Sequence, residues 1–196
     1  MMDVPLSGIE HTTARRSELF DQLVALFLSE GFAHLTLDTI AARLRCSKST
    51  LYTLAASKDD LVRAATVHFF KSAAEQVEDS VAVTIGTKER LTAYLTAVGV
   101  ALRPASEQFM TDLASFAPAR TVYETNTSIA AQRVQQLIAE GALRGEVRDL
   151  HAAFVADVAA SAMVRIQNRE IFRTTGLVDS DAYLELARLL TTGVGT

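Results

Sequence analysis

Apolar positions recur at helical spacing along almost the whole chain, and strict apolar–polar alternation is scarce. Between Ala14 and Glu30, the residues Leu19, Phe20, Leu23, Val24 and Phe27 share one face, and Gly31 suits the left-handed residue that ends a helix. Two short helices follow. Thr36 caps the first, which carries Ile40, Ala41 and Leu44; Ser47 caps the second, from Lys48 to about Leu54. Ser57-Lys58-Asp59-Asp60 has capping-box spacing and opens a long amphipathic helix with Leu61, Ala65, Phe69 and Ala73 inward. A break from Val81 to Thr87 precedes a helix through Leu91, Leu95 and Val98 that stops before Pro104. Further helices are predicted from Ser106 to Phe116, ended by Pro118, and from Thr121 to Glu140, ended by Gly141. A turn at Gly145 to Asp149 leads to an apolar helix from His151 to Arg169. A linker with Gly176 then leads to the last helix, Ser180 to Thr192. The pattern predicts an all-α fold of about nine helices. Met1 to Thr13 reads as a polar, mobile tail without a signal-peptide pattern.

Composition narrows the function classes. Apolar residues make up 49% of 196, enough to bury a core, so general disorder is excluded. Nineteen Lys and Arg against 23 Asp and Glu give a net charge of −4, so the chain as a whole is not a polybasic nucleic-acid binder. A single cysteine, Cys46, excludes an internal disulfide and a Cys-rich zinc site, and fits the cytoplasm. Cys46 stands where an apolar residue is expected, which favours an inert thiol. His11, His34, His68 and His151 share no metal-ligand spacing, so neither a metal nor a cofactor is expected. No Gly-rich phosphate loop and no Ser-His-Asp or Cys-His set is present, so an enzyme is not expected.

The stretch from Thr36 to Leu61 carries the chemistry. Two short helices joined by a turn of about four residues outline a helix-turn-helix, whose second helix enters the DNA major groove. Ile40, Ala41, Leu44 and Leu51 supply the packing face, whereas Lys48, Ser49, Thr50, Tyr52 and Thr53 hold groups suited to base edges and phosphates. From Thr36 to Lys58, Arg43, Arg45, Lys48 and Lys58 oppose Asp38 alone, so this part is locally basic in an acidic chain. The candidate DNA-contacting residues are Thr36, Arg45, Ser47, Lys48, Ser49, Thr50, Tyr52 and Lys58. Two of these have a second reading: Tyr52 as a packed aromatic, and Lys58 as an ordinary residue at a helix start.

Thr36-Leu37-Asp38-Thr39-Ile40-Ala41, then Ser47-Lys48-Ser49-Thr50-Leu51-Tyr52, then Ser57-Lys58-Asp59-Asp60-Leu61 resembles the N-terminal DNA-binding segment of the TetR family of bacterial transcriptional regulators. The match covers about Arg15 to Leu61. The resemblance implies a three-helix DNA-binding domain over residues 1–60 and a helical ligand-binding and dimerisation domain over 61–196. It also implies a homodimer on a palindromic operator, acting as a repressor that a small molecule releases. Three features depart from the family pattern. Arg45 and Cys46 replace Gly and an aliphatic residue in the turn, and a left-handed Arg45 costs on the order of 1 kcal/mol relative to Gly. Leu54, Ala55 and Ala56 replace two aromatics and a Pro, which removes one aromatic phosphate contact and lets the third helix run into its linker. The base-contacting positions vary across the family, so the operator cannot be carried over.

The resemblance places a small-molecule cavity among the middle helices. Tyr94, Phe109, Met110, Leu113, Phe116, Tyr123, Phe154, Met163 and Gln167 are its candidate lining, and each is also an ordinary core position. The helix from His151 is apolar on several faces, and Ala156, Ala159, Ala160 and Ala162 permit close approach, so more than its own domain must cover it. In relatives this helix and the last one (about 151–169 and 180–192) form the dimer bundle. The competing reading is a helical dimeric ligand-binding or interaction module without sequence-specific DNA binding.

Overall fold

The computed structural model describes residues 6–146 and 151–194. It contains ten helices: α1 (Leu6–Glu30), α2 (Leu37–Arg43), α3 (Lys48–Leu54), α4 (Lys58–Ala82), α5 (Thr87–Leu102), α6 (Glu107–Ser115), α7 (Ala117–Leu143), α8 (Ala152–Gln167), α9 (Glu170–Thr175) and α10 (Asp179–Val194). Among the described residues there is no strand. The all-α expectation holds.

The helix starts follow the local chemistry. The hydroxyls of Thr36, Ser47, Ser57 and Ser106 each accept from the backbone N–H three residues on, at Thr39, Thr50, Asp60 and Phe109. Each bond satisfies one of the four N–H groups a helix start leaves open.

The tenth helix, α9, lies where a linker was expected. It is bounded by two left-handed residues, Arg169 (φ 60°) and Gly176 (φ 76°). Six residues are too few to show a period. Pro118 does not end α6 but lies in the first turn of α7, where its missing N–H is no loss. α7 therefore begins at Ala117 rather than Thr121. The expected tail is helical from Leu6, because extending an anchored helix is far easier than nucleating one; residues 1–5 lie outside the described chain. The turn at Gly145 has φ 69°, and its continuation over 147–149 also lies outside it. α3 does not run into its linker, since Ala55 is extended at φ −156°.

Two buried apolar clusters organise the molecule. One joins α4, α5, α7, α8 and α10 around Leu91, Leu95, Val134, Leu137, Ala159 and Met163. Helices α5 and α10 approach closely at Gly99, where a Cβ would stand 2.8 Å from the Ser180 carbonyl. The other joins α1 to α3 and the start of α4 through Leu23, Phe27, Phe32, Ile40, Leu51 and Leu61. This second cluster also includes Phe109, Met110, Leu113 and Tyr123 from α6 and α7. The packing therefore does not divide at residue 60: α6 and the first turns of α7 form a wall of the N-terminal core.

Candidate nucleic-acid interface and ligand cavity

The turn between α2 and α3 is built around Arg45, whose φ is 51°. The left-handed residue lets Cys46 N–H reach the Ala41 carbonyl at 2.9 Å, which closes the end of α2. Cys46 is half-buried against the N-terminal core, and burial pushes its thiol up from the ordinary value. The thiol is therefore held protonated, as expected of an inert cysteine.

Helix α3 buries Leu51 and Leu54 and presents Lys48, Ser49, Tyr52 and Thr53 to solvent. The Tyr52 side chain is 53% exposed, so it is not a core aromatic. The Ser47 hydroxyl lies 2.6 Å from Ser49 Oγ and 2.8 Å from Thr50 Oγ1. Thr36 Oγ1 is similarly engaged with Thr39 Oγ1 at 2.9 Å. These hydroxyls bond to one another in the free protein and would have to turn outward to meet a base or a phosphate.

The cations of the segment differ in how they are held. Arg43 pairs with Glu30 at 3.1 Å. Lys48 Nζ lies 2.7 Å from Asp38 Oδ1, and that hydrogen bond raises its pKa. Both pairs are solvent-exposed and so are cheap to break. Lys58 Nζ donates to the Ala33 carbonyl at 2.7 Å, which directs its charge to the α1–α2 turn. Arg45 is exposed and has no ionic partner among the described residues. It shares a groove with Arg15, Arg16, Thr50 and Thr53. Sequence reasoning missed Arg15 and Arg16, because a basic pair at the start of a long helix is indistinguishable from solvated surface until α1 is laid beside α3.

Polar bonds within the N-terminal cluster tie α6 to the α1–α2 turn. The Asp112 carboxylate, 3% exposed on α6, accepts from Phe32 N–H at 2.7 Å and Ala33 N–H at 2.8 Å through Oδ2. Its Oδ1 accepts from Gln108 Nε2 at 2.7 Å. Ser106 N–H donates to the Leu28 carbonyl at 2.8 Å. The α1–α2 turn is thus held from α6 by Asp112 and from α4 by Lys58.

A cavity of about 260 Å³ opens between α4, α5 and α7. Its walls include Phe69, Phe70, Val77, Val98 and Leu102, with Tyr94, Tyr123 and Tyr183 among them. Burial raises the pKa of all three tyrosines, so their hydroxyls stay neutral. At the cavity edge Arg133 grips Glu78 through two hydrogen bonds, of 2.9 and 3.1 Å.

Of the nine residues expected to line a cavity, only Tyr94 and Tyr123 do so. Phe109, Met110 and Leu113 are packed in the N-terminal cluster, with Phe116 against it. Met163 is in the other core, Gln167 is 6% exposed, and Phe154 is 66% exposed on the outer face of α8. Periodicity marks a buried face but cannot tell a filled core from a void. The lining residues it missed are mainly on α4 and α7, whose inward faces read as ordinary helix surface and core. No group of His, Cys, Asp and Glu among the described residues could hold a metal ion. No described helix is long and apolar enough to cross a membrane.

Comparison with known proteins bears on both regions. Residues 19–65 match the family model of bacterial regulatory proteins, tetR family. No curated protein sequence matches the chain. Solved structures share the fold. A transcriptional regulator from Saccharomonospora viridis in complex with choline is 17% identical, with a TM-score of 0.72, over 94% of this chain and 99% of that one. The ketosteroid transcriptional regulator KstR2 of Mycobacterium tuberculosis is 20% identical, with a TM-score of 0.58, over 93% and 95%. A TetR/AcrR-family regulator from Thermobifida fusca is 22% identical, with a TM-score of 0.65, over 92% and 98%. Residues 19–65 thus carry the DNA-binding segment of the tetR family of bacterial regulatory proteins, and the chain as a whole shares the fold of solved transcriptional regulators.

Proposed function

We propose that the chain is a ligand-responsive transcriptional repressor that binds a palindromic operator as a homodimer in the cytoplasm. The observation that carries this reading is the α3 surface. A short helix anchored by Leu51 and Leu54 turns Lys48, Ser49 and Tyr52 to solvent, beside the unpaired Arg45. A probe of this kind fits the major groove, with Thr36, Ser47, Thr50 and the basic groove of Arg15, Arg16 and Arg45 toward phosphates. Lys58 serves the turn instead. The family's regulators are not enzymes, and we assign no catalytic role to any residue.

Dimerisation is supported by the outer face of α8 and α10. Phe154 and Val158 lie one turn apart on α8, 66% and 43% exposed, and Leu189 on α10 is 67% exposed. Large apolar side chains left bare on adjacent helices suit a self-complementary two-fold contact. The choline complex of the S. viridis protein shows that this fold can hold a small molecule. In our reading the cavity between α4, α5 and α7 serves that purpose, and α4, which forms one wall, carries the change to the reading head. The ligand need only prefer one of two head spacings, with a coupling of about 1–3 kcal/mol.

The test is selection of genomic fragments by the purified protein, followed by titration of a selected duplex at increasing salt. The expected result is a palindromic consensus whose affinity falls steeply with salt. Failure to enrich any sequence would refute the repressor reading and favour a helical dimer without sequence-specific DNA binding.

A further inference from the structure

The cavity has a definite chemical character. Its volume of about 260 Å³ equals that of about nine water molecules, room for roughly ten heavy atoms. Its walls are mainly aromatic and aliphatic. The two charged residues at its edge, Glu78 and Arg133, already satisfy each other through two hydrogen bonds. The next carboxylate, Glu140, lies 3.9 Å from Arg133 and is held by Arg90 at 2.8 Å. A charged ligand would have to break this closed set or enter an apolar space uncompensated. What remains is neutral: Tyr94, Tyr123 and Tyr183 with the amides of Asn126, Gln132 and Gln136. The Tyr123 hydroxyl is wholly buried beside the Asp179 carboxylate, which pairs with Arg169, so Tyr123 offers the cavity its ring. Tyr123 also stacks on Phe70, with ring centroids 5.3 Å apart, and belongs to the cluster under the reading head.

We propose that this cavity takes an uncharged, mainly apolar molecule. The proposal rests on the reading of the chain as ligand-responsive and names the ligand class. It places that molecule against the ring of Tyr123, a side chain shared by the cavity wall and the N-terminal core.

The chain has four tyrosines and no tryptophan, and three of the four line the cavity, so tyrosine fluorescence reports occupancy directly. The probes are 1-octanol, octanoate and octyltrimethylammonium, which share one chain and differ in head charge. The expected result is saturable binding of 1-octanol about tenfold or more tighter than either ion. Ala101→Phe, which fills the cavity from a half-buried wall position, should abolish that binding with unchanged circular dichroism. Equal or tighter binding of either ion would overturn the assignment, as would the absence of saturable 1-octanol binding. Duplex affinity is measured separately. Octanol binding that leaves it unchanged supports the ligand class and counts against the regulatory reading alone.

Discussion

The carboxylate of Asp112 on α6 holds the backbone N–H of Phe32, eighty residues earlier, at 2.7 Å. The same oxygen takes Ala33 N–H, so two donors of the α1–α2 turn depend on one buried side chain. Asp112→Ala leaves both without a partner and should lower stability by about 2–4 kcal/mol. Urea unfolding with a matched slope checks this; a loss below about 1 kcal/mol would show that water replaces the carboxylate.

Gly31 and Arg45 make an opposed pair. Gly31 has φ 79°, and a Cβ there would stand 2.6 Å from Asp112 Oδ2. Gly31→Ala should destabilise by more than about 1 kcal/mol, since backbone strain and a clash add. Arg45 occupies the same left-handed region without need of its side chain for packing. Arg45→Gly should raise stability by about 0.5–1 kcal/mol while weakening DNA binding. Thermal unfolding beside a duplex titration separates the two effects.

Lys48 and Tyr52 project from the exposed face of α3. Lys48→Ala should weaken binding across all sequences, with the logarithmic salt slope reduced by about 0.9 if one phosphate contact is lost. Tyr52→Phe should weaken binding less, keeping the ring and losing only the hydroxyl. Affinity measured at several salt concentrations decides, and an unchanged slope for Lys48→Ala would place that residue off the phosphates.

The Glu146 carboxylate caps the start of α5, accepting from Thr87 Oγ1 at 2.7 Å and Thr87 N–H at 2.9 Å. These bonds hold its carboxyl below the ordinary value. Its contribution is therefore complete above the unfolded value, about 4.3, and is lost as pH falls through the folded one. Glu146→Gln should lower the urea midpoint at neutral pH, and the difference from the parent protein should close as pH falls below the ordinary carboxylate range. A difference that persists in acid would assign the effect to packing.

Phe154→Asp should split the proposed homodimer, because it puts a charge on the exposed apolar face of α8. Sedimentation should show a monomer with intact helicity and lost duplex binding. A dimer that survives the substitution would move the interface elsewhere.

Local chemistry was the most legible part of the fold. Thr36, Ser47 and Ser57 announce helix starts because a cap is decided by one side chain and one amide three residues on. The lengths of α7 and α9 were not legible, since Pro118 begins a helix as readily as it follows one, and α9 is shorter than two turns. Candidate DNA contacts could be placed on one face because α3 has only two inward residues, Leu51 and Leu54. The partner of Lys58 was illegible for the opposite reason: the Ala33 carbonyl lies 25 residues away. The cavity was least legible, because Phe70 and Phe109 have the same spacing signature but only Phe70 borders empty space.

The wall that α6 and α7 lend to the N-terminal cluster limits how such a protein can diversify. Transplanting residues 19–65 onto an unrelated body would leave the underside of Phe27, Phe32 and Leu61 without Phe109, Leu113 and Tyr123. The head therefore travels with its pedestal. Under the proposed function, new operator preference is most easily gained by exchanging the exposed side chains of α3, which lie outside both buried clusters.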